Sequence, residues 1–234
     1  MTRTTDGSAG DTDHRRYRRA EPAFARAVAK AVGDARSVLD IGTGVGGSYA
    51  PSDREVTAVA PAQDLPFADD TFDAAVTTFS VPEWDDLERG LAEVRRVTRG
   101  PIVIVTFDPD RIERSWLAEY APEVLASDAR RHPALPRFAD ALGDDTVTST
   151  PLPIPFTCVD GFSEAYYARP ERLLDPDVRR ADPAWGLVDE VTVRRSVAAL
   201  RTALESGEWD RRHGSLRIRP TYEGSLVLVT ATPN

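Results

Sequence analysis

Cysteine, histidine and lysine are nearly missing from this chain of 234 residues. The single cysteine, Cys158, excludes an internal disulfide and fits a reducing compartment, and it reads as a buried structural thiol. The three histidines, His14, His132 and His213, make no metal-ligand spacing with it, so no metal site is expected. Among 29 basic residues only Lys30 is a lysine, a bias that matches a GC-rich coding sequence better than a binding function. A net charge of −9 argues against nucleic acid or an anionic membrane as the main partner, since both reward clustered positive charge. No run approaches the roughly 18 apolar residues of a membrane span, and no signal-peptide core is present. These absences predict a cytoplasmic, metal-free protein.

What is present is ordinary for a globular chain: 41% hydrophobic and 29% charged residues. The length allows one α/β domain with a cap, or two small domains. Residues 1–13 are polar and read as a flexible tail. A basic stretch around Tyr17 follows, and then a helix over about 22–32. Pro22 suits its first turn, Phe24, Val28 and Val32 share a face, and Gly33 can end it.

The sequence Ser37-Val38-Leu39-Asp40-Ile41-Gly42-Thr43-Gly44-Val45-Gly46-Gly47 carries the first functional signal. Val38, Leu39 and Ile41 suit a buried parallel strand. The glycines suit a turn where backbone passes close to a ligand and freed amides meet a negative group. Gly42-x-Gly44-x-x-Gly47 also satisfies the dinucleotide fingerprint, which is weak when it stands alone. A purely structural turn is a third reading. Asp40, two positions before the first glycine, argues against the dinucleotide reading, whose sites usually carry an apolar or neutral residue there.

The pattern D-x-G-x-G resembles the first motif of class I S-adenosylmethionine (SAM) dependent methyltransferases. Ala62-Gln63-Asp64-Leu65-Pro66-Phe67 through Phe72-Asp73 resembles that family's "LPF-x-D-x-x-FD" segment, which leads into its fourth strand. "L-x-E-x-x-R-V-x-R" ahead of Gly100 and an apolar strand over 102–107 is similar to the family again. The resemblance implies a glycine loop beneath the methionine moiety of SAM. It assigns Asp40, Gly42, Thr43, Gly44, Gly46, Asp64, Leu65 and Thr78 to cofactor binding.

Two departures qualify that expectation. The family usually ends its second strand in an acid that receives the ribose hydroxyls, and here Ala60 stands in that place. The path from Gly42 to Asp64 is also too short for two strands with two full crossovers. The third strand and its helix are therefore expected to be missing, together with the acid that meets the adenine amino group; Pro61 occupies the nearest matching position. Leaving ribose hydroxyls without a charged acceptor costs on the order of 1–3 kcal/mol, or roughly 5- to 150-fold in affinity.

The expected fold is a doubly wound, mostly parallel α/β sheet of the class I methyltransferase, Rossmann-like type, lacking one strand and helix. The core covers 22–110, 144–156 and 216–232, and an α-helical cap covers about 111–143 and 160–214. Tyr17, Trp84, Glu164, Tyr166 and Tyr167 are candidate substrate residues. Asp160 and His213 join the possible bases, but no spacing singles out a catalytic residue. Pro82 and Glu83 stand where related methyltransferases often carry histidines. The expected activity is SAM-dependent methyl transfer to a small molecule, in specialised metabolism. The alternative is a methyltransferase-like protein that has lost methyl transfer and works without cofactor or as a binding subunit.

Overall fold

The computed structural model describes residues 16–42, 48–59 and 61–234. Helix α1 spans Pro22–Val32; the Glu21 side chain accepts from the Ala23 amide, Phe24, Val28 and Val32 are buried, and Gly33 ends it at φ 65°. Strand β1 (Ser37–Ile41) follows, then β2 (Glu55–Val59), β3 (Ala74–Thr78), helix α2 (Leu87–Val97) and β4 (Ile102–Phe107). Asp86 caps α2 by accepting from the Arg89 amide, and the helix buries Leu87, Leu91, Val94 and Val97 on one face. It ends at Val97, the last residue of that face, because Thr98 is already extended at φ −122°.

Beyond β4 come three short helices: α3 (Pro109–Ile112), α4 (Pro122–Ala129) and α5 (Pro136–Leu142). Strand β5 (Thr146–Pro151) and a two-residue β6 (Ile154–Pro155) lead into the cap. The cap was expected to be helical throughout. Instead 163–187 runs largely in 3-10 turns around the short α6 (Pro176–Arg180), before α7 (Glu190–Glu205) and α8 (Glu208–His213). Its prolines at 170, 176 and 183 each fall at the start of a turn, where the lost amide is harmless, and they break any longer run. β7 (Thr221–Tyr222) pairs with β6, and β8 (Leu226–Thr232) closes the main sheet.

The six-stranded sheet has the order β2-β1-β3-β4-β8-β5, with β1 to β4 parallel and β8 antiparallel to both neighbours. Among the described residues no strand lies outside β2, as the short spacing predicts. The shortening goes further than expected. Among the described residues neither connection flanking β2 contains a helix, so β2 is a thinly covered edge with Val56 38% exposed. Leu39, Ile41 and Ile104 face α2 and α5, whereas Val38, Val76 and Val105 face α1 and the cap. This alternation is that of a sheet buried on both sides.

Candidate active site

A cavity of about 430 Å³ opens at the carboxyl ends of β1, β3 and β4 and is roofed by the cap. Ligands of open α/β sheets bind at those ends. On the sheet side Asp40, Gly42, Ala58 and Thr78 line it. Asp40 sits between Ala58 of β2 and Val76 of β3, and its Oδ2 accepts from the Ser48 hydroxyl at 2.5 Å. Burial raises its carboxyl above the usual range, and the Ser48 bond partly offsets that. A Cβ on Gly42 would lie 3.3 Å from that of Ser80, so the glycine is needed for the close approach of β1 and β3 here. Ser80 fixes this corner by donating to the Ile41 carbonyl at 3.0 Å.

The floor is aromatic. Phe79 ends β3 with φ 59°, a conformation a phenylalanine rarely adopts and one found where surrounding structure imposes it. Its amide donates to the Val105 carbonyl, and its ring lies 5.4 Å from Phe107 and 6.1 Å from Phe162. These contacts hold Phe79 at the cavity wall.

The cap supplies titratable groups. Glu164 is buried, and its Oε2 accepts from both the amide and the hydroxyl of Ser225 at 2.8 Å. Its Oε1 has no hydrogen-bond partner among the described residues. Burial pushes its carboxyl up to about 7, against the lowering effect of Ser225 and Arg111. Asp182 accepts from the Ser163 amide and hydroxyl and from the Ala184 amide, and burial raises its carboxyl too. His132 places Nε2 3.6 Å from Asp128 and Nδ1 3.5 Å from the Thr106 hydroxyl.

The segment before α1 straps across this site. Arg18 lines the cavity and donates to Asp160 at 2.5 Å, and the Tyr49 hydroxyl donates to the other Asp160 oxygen at 2.7 Å. The Gly161 amide donates to the Tyr17 carbonyl, and the Val159 amide to Glu21. Tyr17 therefore takes part through its backbone, and its neighbour Arg18 reaches the cavity.

Of the residues singled out in the sequence, Asp40, Gly42, Thr78 and Glu164 meet at this cavity. Thr43, Gly44 and Gly46 lie outside the described residues. Asp64 and Leu65 do not line it. Asp64 is exposed and paired with Arg89, while Leu65 is buried and donates its amide to Glu93, so α2 holds this segment. Trp84 packs over Gly90 of α2, where an added Cβ would fall 2.7 Å from its ring. Tyr166 and Tyr167 are core; Tyr167 donates to the Arg219 carbonyl and stacks on Tyr222 at 5.2 Å. Asp160 is spent on Arg18, and His213 lies among Trp116, Tyr120 and Trp209. The Cys158 thiol, pushed up to about 12 by burial, is inert at neutral pH. Sequence reasoning missed Arg18, Asp128, His132 and Asp182, which only tertiary packing brings together.

Three comparisons bear on this geometry. A methyltransferase-domain family profile matches residues 48–104, which contain β2, the LPF segment, β3, α2 and the first half of β4. A ubiquinone/menaquinone biosynthesis C-methyltransferase of Geotalea daltonii is 42% identical over 55 residues, covering 23% of either chain. The match thus spans about a quarter of that curated relative. A solved structure from Anabaena variabilis, described as a methyltransferase from an antibiotic biosynthesis pathway, superposes with a TM-score of 0.81. It covers 93% of this chain and 99% of its own at 23% identity. The chain has the class I methyltransferase, Rossmann-like fold. The YcgJ protein of Bacillus subtilis shares the fold less closely, with a TM-score of 0.51, 17% identity, and 90% and 98% of the two chains covered.

SAM is the cofactor of the class I type, and the residues here fit it unevenly. The Asp40 carboxylate and the Gly42 cradle suit the cationic amino-acid end. At the adenosine end the β2 residue lining the cavity is Ala58, and no described carboxylate stands at the end of that strand.

Proposed function

We propose that this chain is a SAM-dependent methyltransferase acting on a small molecule held between the sheet edge and the cap, in specialised metabolism. One observation carries the reading: Asp40, Gly42 and Thr78 share a cavity with an apolar chamber of Phe79, Phe107 and Phe162. A sulfonium cofactor supplies an already activated methyl group, so the protein's work is alignment and exclusion of water. Asp40 would hold the amino-acid end, and the aromatic floor would orient an apolar acceptor. Glu164 and the His132–Asp128 pair stand ready to take a proton from the acceptor. A cytoplasmic location, with neither nucleic acid nor membrane as partner, belongs to the same reading. Among the described residues no helix is long and apolar enough to cross a membrane.

The second reading, a methyltransferase-like protein that no longer transfers methyl groups, is favoured by Ala58 and by the absence of a helix beside β2 among the described residues. Calorimetric titration with S-adenosylhomocysteine separates the two. Saturable binding weakened about tenfold in Asp40→Asn supports methyl transfer. No heat at millimolar cofactor overturns it.

A further inference from the structure

The charge around the cavity is lopsided. Five carboxyl groups line it, from Asp40, Glu83, Asp128, Glu164 and Asp182, against two guanidinium groups and one imidazole. Both arginines are already engaged. Arg18 is tied to the buried Asp160, and Arg131 is tied to Glu83 at 2.5 Å and comes no nearer than 4.0 Å to Asp128. With Asp40 assigned to the sheet side, the cap side is left with Asp128, Glu164 and Asp182 facing His132.

Among these, Glu164 is the least compensated. Among the described residues no guanidinium or imidazole is paired with it, and both of its hydrogen bonds come from Ser225 and reach the same oxygen. Oε1 is left without a partner in a side chain only 6% exposed. An unpartnered buried carboxyl oxygen costs free energy that a ligand donor would return. The remaining wall is apolar, from Phe79, Phe107, Phe162, Ile112 and Leu125. Such a wall excludes water and strengthens whatever charge interaction the carboxylates make.

We infer that the acceptor held by the cap is an amine: an apolar body bearing a basic nitrogen that the Glu164, Asp128 and Asp182 carboxylates receive. Carboxylate or phosphate-bearing acceptors are disfavoured by the same three groups, since like charges repel strongly in a poorly hydrated site. The ammonium form gives one proton to the Glu164 carboxylate, which becomes a neutral acid, and the nitrogen keeps the electron pair of the broken N–H bond. A neutral amine is then the nucleophile. The use of that nucleophile rests on the methyltransferase reading; the binding preference does not.

The test uses the full chain without cofactor and three probes matched in shape: 2-phenylethylamine, 2-phenylethanol and phenylacetate. Calorimetry is expected to give the amine an affinity about tenfold or more above the alcohol, with no measurable binding of the acid. Glu164→Gln is expected to remove most of the amine's advantage over the alcohol. If Glu164→Gln does not fold, Asp128→Asn and the wild-type ranking carry the test. Phenylacetate binding as tightly as the amine overturns the inference. So does an amine preference that survives folded Glu164→Gln, or failure of all three probes to bind at millimolar concentration. A parallel titration with S-adenosylhomocysteine keeps the two readings apart. Cofactor binding without amine preference sinks this inference alone, and amine preference without cofactor binding sinks the methyltransferase reading alone.

Discussion

Arg18 and Asp160, 142 positions apart, form a buried charge pair in which Nε donates to Oδ1 at 2.5 Å. Tyr49 donates to the second Asp160 oxygen and accepts from the Glu21 amide, so the pair ties the strap before α1 to the loop at 158–161. Burial raises the Tyr49 phenol, and the neighbouring Asp160 charge raises it further, so it stays a donor at any physiological pH. Removing one member of a buried pair strands the other charge. Arg18→Met is therefore expected to cost about 3–5 kcal/mol of stability in denaturant unfolding, with the paired change Arg18→Met, Asp160→Asn recovering part of the loss. A loss within the range of an exposed ion pair, about 1 kcal/mol or less, contradicts the role assigned to this pair.

Glu164 sets a pH dependence of stability. Its carboxyl is raised from 4.5 to about 7 by burial, so the native state binds a proton more tightly than the unfolded chain. The groups facing it include Arg111, which lowers the value, and Asp128, which raises it. The contribution is fully present below about 4.5 and is lost as pH rises through about 7. Its size is on the order of 3 kcal/mol. Glu164→Gln has no such titration, so the stability difference between wild type and variant should move in favour of the variant between pH 4.5 and 7 and then level off. A difference independent of pH across that window refutes the burial argument.

The two halves of the site were unequally legible. Asp40 and Gly42 are readable because strand, acid and turn are local chemistry within a few residues. Glu164 was one of several candidates, and its distinguishing feature, a pair of bonds from Ser225, comes from 61 positions away. Asp128, His132 and Asp182 had no sequence signal at all, since short helices and 3-10 turns bring them to the cavity. Tyr166 and Tyr167 show the opposite error. An aromatic cap suggests a pocket lining, but Tyr167 finds the Arg219 carbonyl and a stacking partner and stays in the core. Asp64 and Leu65 follow α2 because Arg89 and Glu93, one turn apart on its exposed side, capture them. The missing outer strand was countable from chain length. The lack of a helix beside β2 among the described residues was not, because glycine- and proline-rich connections can be helical or extended at equal length.

Gly42 tests whether the sheet end of the cavity holds a cofactor. An alanine there would bring its Cβ to 3.3 Å from that of Ser80 and 3.4 Å from its hydroxyl, a fit that requires β1 and β3 to shift slightly. Overpacking of this kind typically costs about 1–3 kcal/mol. Gly42→Ala is expected to lose about tenfold or more in S-adenosylhomocysteine affinity, with the amine probe less affected because its carboxylates sit on the cap. Equal losses for both ligands would show that the cavity does not have two ends.

Ala60 tests the other end of the cofactor. The residue lies outside the described structure, but its place at the end of β2 is where the resembling family puts an acid against the ribose hydroxyls. Two hydroxyls that now lose water for no charged acceptor should regain about 1–3 kcal/mol when one is supplied. Ala60→Asp is therefore expected to tighten S-adenosylhomocysteine roughly 5- to 150-fold in calorimetry. The same substitution should leave adenosine-free probes such as 2-phenylethylamine unchanged, because the resemblance ties this position to the ribose and not to the acceptor. The gain is also expected to persist at high salt, since a hydrogen bond to a ribose hydroxyl is not screened as an ion pair is. If Ala60→Asp leaves cofactor affinity where it was, the ribose does not lie along β2, and the shortened edge has moved the adenosine elsewhere.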